Sequence, residues 1–223
     1  MGMTALTWAS FRGHEEAVKK LLEREDINPD QQGTEYGRTA LLWAAKNGHE
    51  GVVKMLLERE DINPDQADTE YGRTPLSWAA KNGHEGVVNM LLHREDANPD
   101  QANTEYGRTA LLWAAKNGHE GVVKMLLQRE DVNPDWAGNP GLTPLLWAAK
   151  SGHEGVVKMI MQWKDGRSAI SDNMNKASQP SALSENMMEL RGSYATETLS
   201  VAPPRIPVVR YSSHPPLYHE TNV

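Results

Sequence analysis

Histidine next to glutamate is a pair of residue types that can bind metal ions or transfer protons, and this chain repeats the pair five times. The histidines follow one another at steps of 35, 35, 35 and 34 residues, as His14, His49, His84, His119 and His153. A zinc-protease helix needs a second histidine four residues after the first, whereas His49-Glu50 is followed by Gly-Val-Val. Because each histidine belongs to a separate copy of one repeated unit, the pattern favours a structural role in capping a helix.

Tryptophan recurs with the same period and raises a second kind of chemistry, an aromatic platform for a ligand or for nucleic-acid bases. The stripe consists of Trp8, Trp43, Trp78, Trp113 and Trp147. A base-stacking surface also needs a basic groove, and this chain carries a formal net charge of −7. We therefore interpret the stripe as apolar framework, and we do not expect a nucleic-acid partner.

Composition narrows the classes that remain. The chain has no cysteine, which excludes disulfides, thiolate metal sites and cysteine nucleophiles. No nucleophile, base and orienting residue occur together, and no phosphate-binding GxxxxGK[ST] loop is present. The sequence therefore predicts a protein that is not an enzyme and that needs no cofactor and no metal.

The start of the sequence and its hydropathy bear on location. The first residues, MGMTALTWASFRGHEE, lack a basic segment followed by an apolar run, and no stretch approaches the roughly 20 apolar residues that span a bilayer. We therefore expect an intracellular protein of the cytoplasm or nucleus that is a monomer and has no membrane partner.

A repeated helical unit positions all of these residues. The segment YGRTALLWAAKNGHEGVVKMLL begins at Tyr36 and recurs almost verbatim from Tyr106, with close copies between and after them. Thr39 is the predicted N-cap of a first short helix, and Gly48 supplies the left-handed residue that ends it. A second helix follows, in which Val52, Val53, Leu56 and Leu57 form one apolar stripe. Helices this short are unstable alone, so the pattern predicts stacking of one helix pair on the next into a solenoid.

At these residues the chain resembles the ankyrin repeat family. The family pattern is met by Gly72, Thr74, Pro75, Leu76, Ala79, Ala80, Gly83, His84, Val87, Val88, Leu91 and Leu92. The resemblance implies an all-α ankyrin-repeat solenoid of helix-turn-helix units with short β-turn fingers. Its five repeats are expected at about 2–36, 37–71, 72–106, 107–140 and 141–168. Phrases such as LLWAAKNGHEGVV are also similar to the ankyrin arrays of fungal NACHT-type immune sensor proteins.

Two departures from the family pattern affect the expected structure. The histidine of the TPLH motif is replaced by Thr7, Leu42, Ser77, Leu112 and Leu146, which puts its inter-repeat hydrogen bonds in question. The sequence also starts inside a repeat at Gly2, without a polar capping unit. A truncated fragment of a fungal sensor array is therefore kept as one alternative.

The family resemblance assigns partner binding to the finger tips and to the exposed edge of the first helices. The corresponding residues are Tyr36, Arg38, Lys46, Asn47, Tyr71, Arg73, Lys81, Asn82, Tyr106, Arg108, Lys116 and Asn117. Tyrosine and arginine are residue types that anchor interfaces, so we expect a non-enzymatic scaffold that binds a protein of unknown identity. The row of arginine and lysine favours an acidic or repetitive ligand. The alternative is that these are solvated positions copied by recent duplication.

Residues 169–223 have a different composition, rich in serine, proline, asparagine and threonine, and are expected to form a disordered tail. A short amphipathic helix over 182–190 is an open alternative. Pro215, Pro216 and Tyr218 belong to a Pro-Pro-Leu-Tyr segment that matches the ligand of WW domains. This match suggests an alternative function, an adaptor that recruits a WW-domain ubiquitin ligase.

Overall fold

A computed structural model gives the fold and describes residues 2–34 and 36–178. The described residues form ten helices, which alternate as first and second helices of five repeats. They are α1 (Ala5–Arg12), α2 (Glu15–Leu22), α3 (Ala40–Asn47), α4 (Glu50–Leu57), α5 (Pro75–Asn82), α6 (Glu85–Leu92), α7 (Ala110–Asn117), α8 (Glu120–Leu127), α9 (Pro144–Lys150) and α10 (Glu154–Ser178). No strand occurs within these ranges, where the only sheet-like pairing is an isolated bridge between Gly138 and Leu142. The predicted all-α repeat architecture is confirmed.

All five repeats lie in the first of two units into which the chain divides, Met1–Asn173. Of the second unit the structure describes only 174–178, at the end of α10. Within the described residues, no helix is both long and apolar enough to cross a membrane.

The ends of the first helices follow the local chemistry of the sequence. Thr39 has extended backbone angles and its hydroxyl accepts a hydrogen bond from the amide of Leu42, as predicted for an N-cap. Gly48 ends α3 with φ 73°, in the left-handed region that glycine adopts without steric cost. A Cβ atom at Gly48 would lie 2.6 Å from the ring of His84, so both the backbone angle and the close approach require glycine.

The repeated histidines stand at the start of the second helices, but their side chains do not cap them. His84 makes no capping hydrogen bond to α6. Its Nε2 instead lies 3.0 Å from the carbonyl oxygen of Lys46 in the preceding repeat. The same 3.0 Å contact recurs from His49 to Phe11, from His119 to Lys81 and from His153 to Lys116. The predicted capping role is therefore wrong for the side chain, which links neighbouring repeats instead. These contacts join the repeats although the histidine of the TPLH motif is replaced in this chain.

The hydrophobic core lies between successive repeats. First helices pack on first helices and second helices on second helices, in the order of the chain. Leu76 and Leu111 on the first helices, and Val88 and Val123 on the second, are buried in one continuous cluster. Full burial of such a side chain contributes about 2 kcal/mol, which the short helices cannot obtain alone. Stacking therefore stabilises each repeat, as the sequence predicted.

The last helix passes the boundary predicted at residue 168. Helix α10 extends to Ser178, so residues 169–178 are helical where the composition predicted disorder. In earlier repeats an arginine follows the second helix, and Arg129 Nη1 donates to the carbonyl oxygen of Leu92. Trp163 takes that place in α10 and donates from Nε1 to Leu127 over 2.8 Å. No Asn-Pro-Asp turn follows Trp163, so nothing in the local sequence ends the helix there. The predicted helix over 182–190 and the rest of the tail lie outside the described residues.

Candidate protein-interaction groove

Helix geometry brings the repeated tyrosine, arginine, tryptophan and lysine of each unit together. Tyr71 and Arg73 stand in the finger, the turn segment that precedes the N-cap Thr74. Trp78 and Lys81 follow on α5, three residues apart, and therefore lie on one face of the helix. Each central repeat thus directs the same four side chains toward its neighbours.

These side chains line one open groove of about 820 Å³. Its walls are Tyr36, Arg38, Lys46, Glu70, Tyr71, Arg73, Trp78, Lys81, Glu105, Tyr106, Arg108, Trp113, Lys116 and Asn117. All of the residues predicted to contact a partner line this groove except Asn47 and Asn82. Asn47 and Asn82 donate their side-chain amides to the carbonyl oxygens of Phe11 and Lys46, at 3.1 and 2.7 Å, and so join successive repeats.

The three groove arginines are buried and are not solvated positions. Arg38, Arg73 and Arg108 expose only 4, 5 and 7% of their surface. The guanidinium carbon of Arg73 lies 4.1 Å from the ring centre of Tyr71, 4.7 Å from Trp78 and 4.8 Å from Trp113. Cation–π attraction strengthens when the cation is desolvated, so these rings stabilise a charge that water no longer reaches.

Lysines approach the same tryptophans from the other end of the first helix. Lys81 Nζ lies 4.8 Å from the ring centre of Trp78 and 5.1 Å from that of Trp113. We call the arginine and lysine of one repeat, together with the tryptophans that they contact, a basic rung. The first rung is built on Arg38 and Lys46, the second on Arg73 and Lys81, and the third on Arg108 and Lys116.

Carboxylates from the following finger neutralise the first two rungs. Arg38 Nη2 donates to Glu70 at 2.8 Å, and its Nε lies 3.6 Å from the buried carboxylate of Asp68. Arg73 Nη2 donates to Glu105 at 3.4 Å. These ion pairs join successive fingers, an arrangement that the sequence analysis missed because it depends on the stacking of the repeats.

The lysine ammonium groups are crowded by burial and by other cations. Burial is the main cause that lowers the pKa of Lys46, Lys81 and Lys116, and the positive charge of the arginine in the same rung lowers each further. A lowered lysine pKa means that the folded protein holds the charged form at a cost in free energy. A negatively charged ligand in the groove would offset that cost.

The aromatic residues divide into a floor and a rim. Trp43, Trp78 and Trp113 are buried, which confirms the framework interpretation for these three, while Trp8 is 49% exposed. Tyr36 and Tyr106 expose 47 and 38% of their surface at the rim. The sequence did not reveal that the buried rings would also hold the cations of the groove, because that depends on stacking between repeats.

The periodic histidines do not converge on a metal site in the described ranges. No group of three or more histidine, cysteine, aspartate or glutamate side chains there is close enough to hold a metal ion. Four of the five, His49, His84, His119 and His153, instead contact the backbone of the preceding repeat, as described above.

The stacked helix pairs and the groove along their first helices define a repeat protein of the solenoid class, whose neighbouring units build one surface. A family profile described as ankyrin repeats, in three copies, matches residues 6–103 and 92–170. The chain therefore belongs to the ankyrin repeat family, which is a protein–protein interaction fold without an enzymatic role of its own. A comparison with curated proteins gave no match.

Proposed function

We propose that this ankyrin array is a non-enzymatic scaffold that binds a partner protein through the groove along its first helices. The observation that carries the proposal is the set of three basic rungs, in which desolvated cations lie between aromatic rings at one open surface. Tyrosine and arginine are enriched at the centres of interfaces, where they anchor well-packed and desolvated contacts.

The electrostatics of the groove support an acidic segment as the part of the partner that enters it. The chain as a whole is negative, with 30 acidic against 23 basic residues, yet the groove concentrates arginine and lysine. Local positive charge on a negative protein orients an acidic partner toward the groove, and the effect weakens as salt screens it.

The test compares two charge-reversal variants of the full chain as baits in affinity capture from a cell extract. The groove variant carries Lys46→Glu, Lys81→Glu and Lys116→Glu. The matched control carries Lys19→Glu, Lys54→Glu and Lys124→Glu, three exposed lysines at equivalent positions of three second helices. Both variants change the net charge equally, so a difference between them reports the location of binding.

Partners that are captured by the wild type and the control, and lost by the groove variant, would support the proposal. Equal recovery of every partner by both variants would contradict it. Replacing the crowded lysines of the groove can disturb the fold more than replacing exposed lysines. Circular dichroism of the purified variants therefore checks that each retains its helices.

A second function is supported by the sequence of the tail, which contains Pro215-Pro216-Leu217-Tyr218 outside the described residues. We propose as an alternative that this segment recruits a WW-domain ubiquitin ligase while the array holds a target protein. Tyr218→Ala should then abolish binding of an isolated WW domain without changing what the groove captures. Unchanged WW-domain binding by this variant would reject the adaptor.

The similarity of the repeat sequences to those of fungal NACHT-type sensors supports a third alternative, an array derived from such a sensor. That origin would change the source of the partner and would leave the groove as the proposed contact surface. The identity of the proteins that the wild type captures and the groove variant loses shows whether the partner comes from such a sensor system.

A further inference from the structure

The third basic rung differs from the first two in lacking a carboxylate. Arg38 pairs with Glu70 at 2.8 Å and Arg73 with Glu105 at 3.4 Å. In the described part of the chain, the guanidinium of Arg108 donates no hydrogen bond and forms no ion pair, although Arg108 is only 7% exposed. Its guanidinium carbon instead lies 4.3, 4.8 and 5.0 Å from the ring centres of Tyr106, Trp113 and Trp147, which stabilise the charge by cation–π attraction.

The cause is a change in the length and sequence of the finger that follows. The amide of Asn139 donates to the carbonyl oxygen of Tyr106 over 2.7 Å, just as the amide of Thr104 donates to Tyr71 over 3.1 Å. Glu105 and Tyr106 follow Thr104, whereas the single residue Pro140 follows Asn139 before the glycine. The finger is therefore one residue shorter, and it has lost the acidic residue that would face Arg108.

Further positive charge surrounds this unpaired arginine. Lys116 Nζ lies 5.4 Å from the ring centre of Trp113 and 4.6 Å from that of Trp147, which Arg108 also contacts. Burial, followed by the charges of Arg108, Arg73 and Lys150, lowers the pKa of Lys116. A buried cation without a counter-ion is costly, so a ligand that supplies one gains binding energy here.

We propose that the third rung binds a glutamate or aspartate side chain of a partner's acidic segment, in the place that Glu70 and Glu105 fill at the first two rungs. The proposal rests on the groove being the partner-binding surface and specifies what one point of it recognises. The two internal pairs show that a carboxylate fits a rung at hydrogen-bond distance. The groove is open and continuous along the rungs, so an extended peptide can reach the third rung.

The test measures binding of a fluorescein-labelled peptide of alternating glutamate and glycine to the full chain, by fluorescence anisotropy at low salt. A peptide with glutamine in place of glutamate, and one with phosphoserine, are the comparison ligands. The wild type should bind the glutamate peptide and discriminate against the glutamine peptide by at least about tenfold.

Three variants and one control locate the binding. Arg108→Gln should weaken binding of the glutamate peptide by about tenfold or more. Replacing Pro140 by the pair Glu-Tyr restores the finger length and the internal acid of the preceding repeat, and should weaken binding similarly without loss of thermal stability. Glu105→Gln frees Arg73 and should strengthen binding by about tenfold, whereas Lys124→Gln on the exposed side of α8 should leave it unchanged.

Equal affinity of the wild type and the finger variant would overturn the inference, as would equal binding of the glutamine peptide or tighter binding of the phosphoserine peptide. The finger variant keeps the inference testable if Arg108→Gln fails to fold. Binding that is lost with Lys81→Glu but unaffected in the finger variant would reject the third rung and retain the groove. Failure of the groove itself is decided separately, by the capture comparison of the charge-reversal variants.

Discussion

Arginine recurs with the period of the repeat on two faces of the array, and its surroundings differ sharply between them. On the groove face, Arg73 has 6% of its side chain exposed, lies among aromatic rings and pairs with Glu105 from the next finger. On the face formed by the loops after the second helices, Arg94 has 23% exposed and pairs over 2.7 Å with Asp96, which is 53% exposed. The first pair joins two successive fingers, whereas the second joins residues two positions apart.

The loop arginine makes an exposed ion pair and hydrogen bonds to the backbone, whereas the groove arginine is a desolvated charge. The loop arginine also donates to the carbonyl oxygens of Leu57 at 3.0 Å and Arg59 at 3.3 Å, near the end of the preceding second helix. It therefore satisfies backbone groups that a helix end leaves open. The groove arginine instead has its charge held by rings and by a carboxylate that a partner could replace. One residue type with one period thus binds helix ends on one face and lies between aromatic rings in the proposed binding groove on the other.

Removing each arginine should give the largest contrast between the faces. We expect Arg73→Ala to lower the free energy of unfolding by about 3 kcal/mol, because it leaves Glu105 unpaired and empties space between Trp78 and Trp113. Arg94→Ala should cost about 1 kcal/mol, since its ion pair is exposed and mainly its backbone hydrogen bonds are lost. Urea unfolding followed by circular dichroism measures both, and equal costs would contradict the distinction between the faces.

A smaller effect distinguishes two rungs within the groove face. Asp68 is buried and accepts hydrogen bonds from Trp78 Nε1 at 2.9 Å and from the amide of Tyr71 at 2.8 Å. Asn103 holds the equivalent position in the next repeat, and there Trp113 Nε1 has no partner among the described residues. We expect Asn103→Asp to stabilise the fold by about 1 kcal/mol, because the new carboxylate accepts from Trp113 and faces the groove cations.

The matched change Asp68→Asn should remove a comparable amount of stability. If Asn103→Asp destabilised the chain in urea, the cost of burying another carboxylate would exceed the gain from satisfying Trp113. The two substitutions exchange the residues that neighbouring repeats already use, so neither introduces a side chain of a new size.

The contrast between faces also marks how far sequence reasoning reached. The helix pairs followed from Thr39 as a cap, Gly48 as a helix end and the period of the apolar residues, all of which are local signals. The groove residues followed from the family resemblance, and their membership of one surface agrees with the spacing of the repeats. Local pattern and period are enough for these features because the caps, helix ends and apolar stripes recur in each central repeat.

Features that depend on contacts between repeats were missed. The burial of Arg73 and the turn of the His84 ring toward Lys46 arise from side chains about one repeat away, which no local pattern reports. The extension of α10 to Ser178 was also missed, because composition alone suggested disorder from residue 169 onward. A repeat alignment that compared Arg129 with Trp163, and Glu105 with Pro140, would have indicated where the array changes.

The smallest effect is a pair of opposite pH dependences on the loop face. Burial is the main cause that raises the pKa of Asp65, whereas the hydrogen bond from Arg94 is the main cause that lowers that of Asp96. A raised folded-state pKa means that stability falls as the pH rises from the pKa of the unfolded state to that of the folded state. Asp65→Asn should therefore become more stable relative to the wild type over that interval. A lowered pKa means the reverse, so Asp96→Asn should be less stable than the wild type near neutral pH and equal to it once the pH falls below the folded-state pKa.

Solvent screening keeps both differences below about 1 kcal/mol, and thermal unfolding between about pH 3 and 7 measures them. Parallel slopes for the two variants would show that the carboxylate of Asp65 is as well solvated or paired as that of Asp96, and that the loop face holds no buried charge.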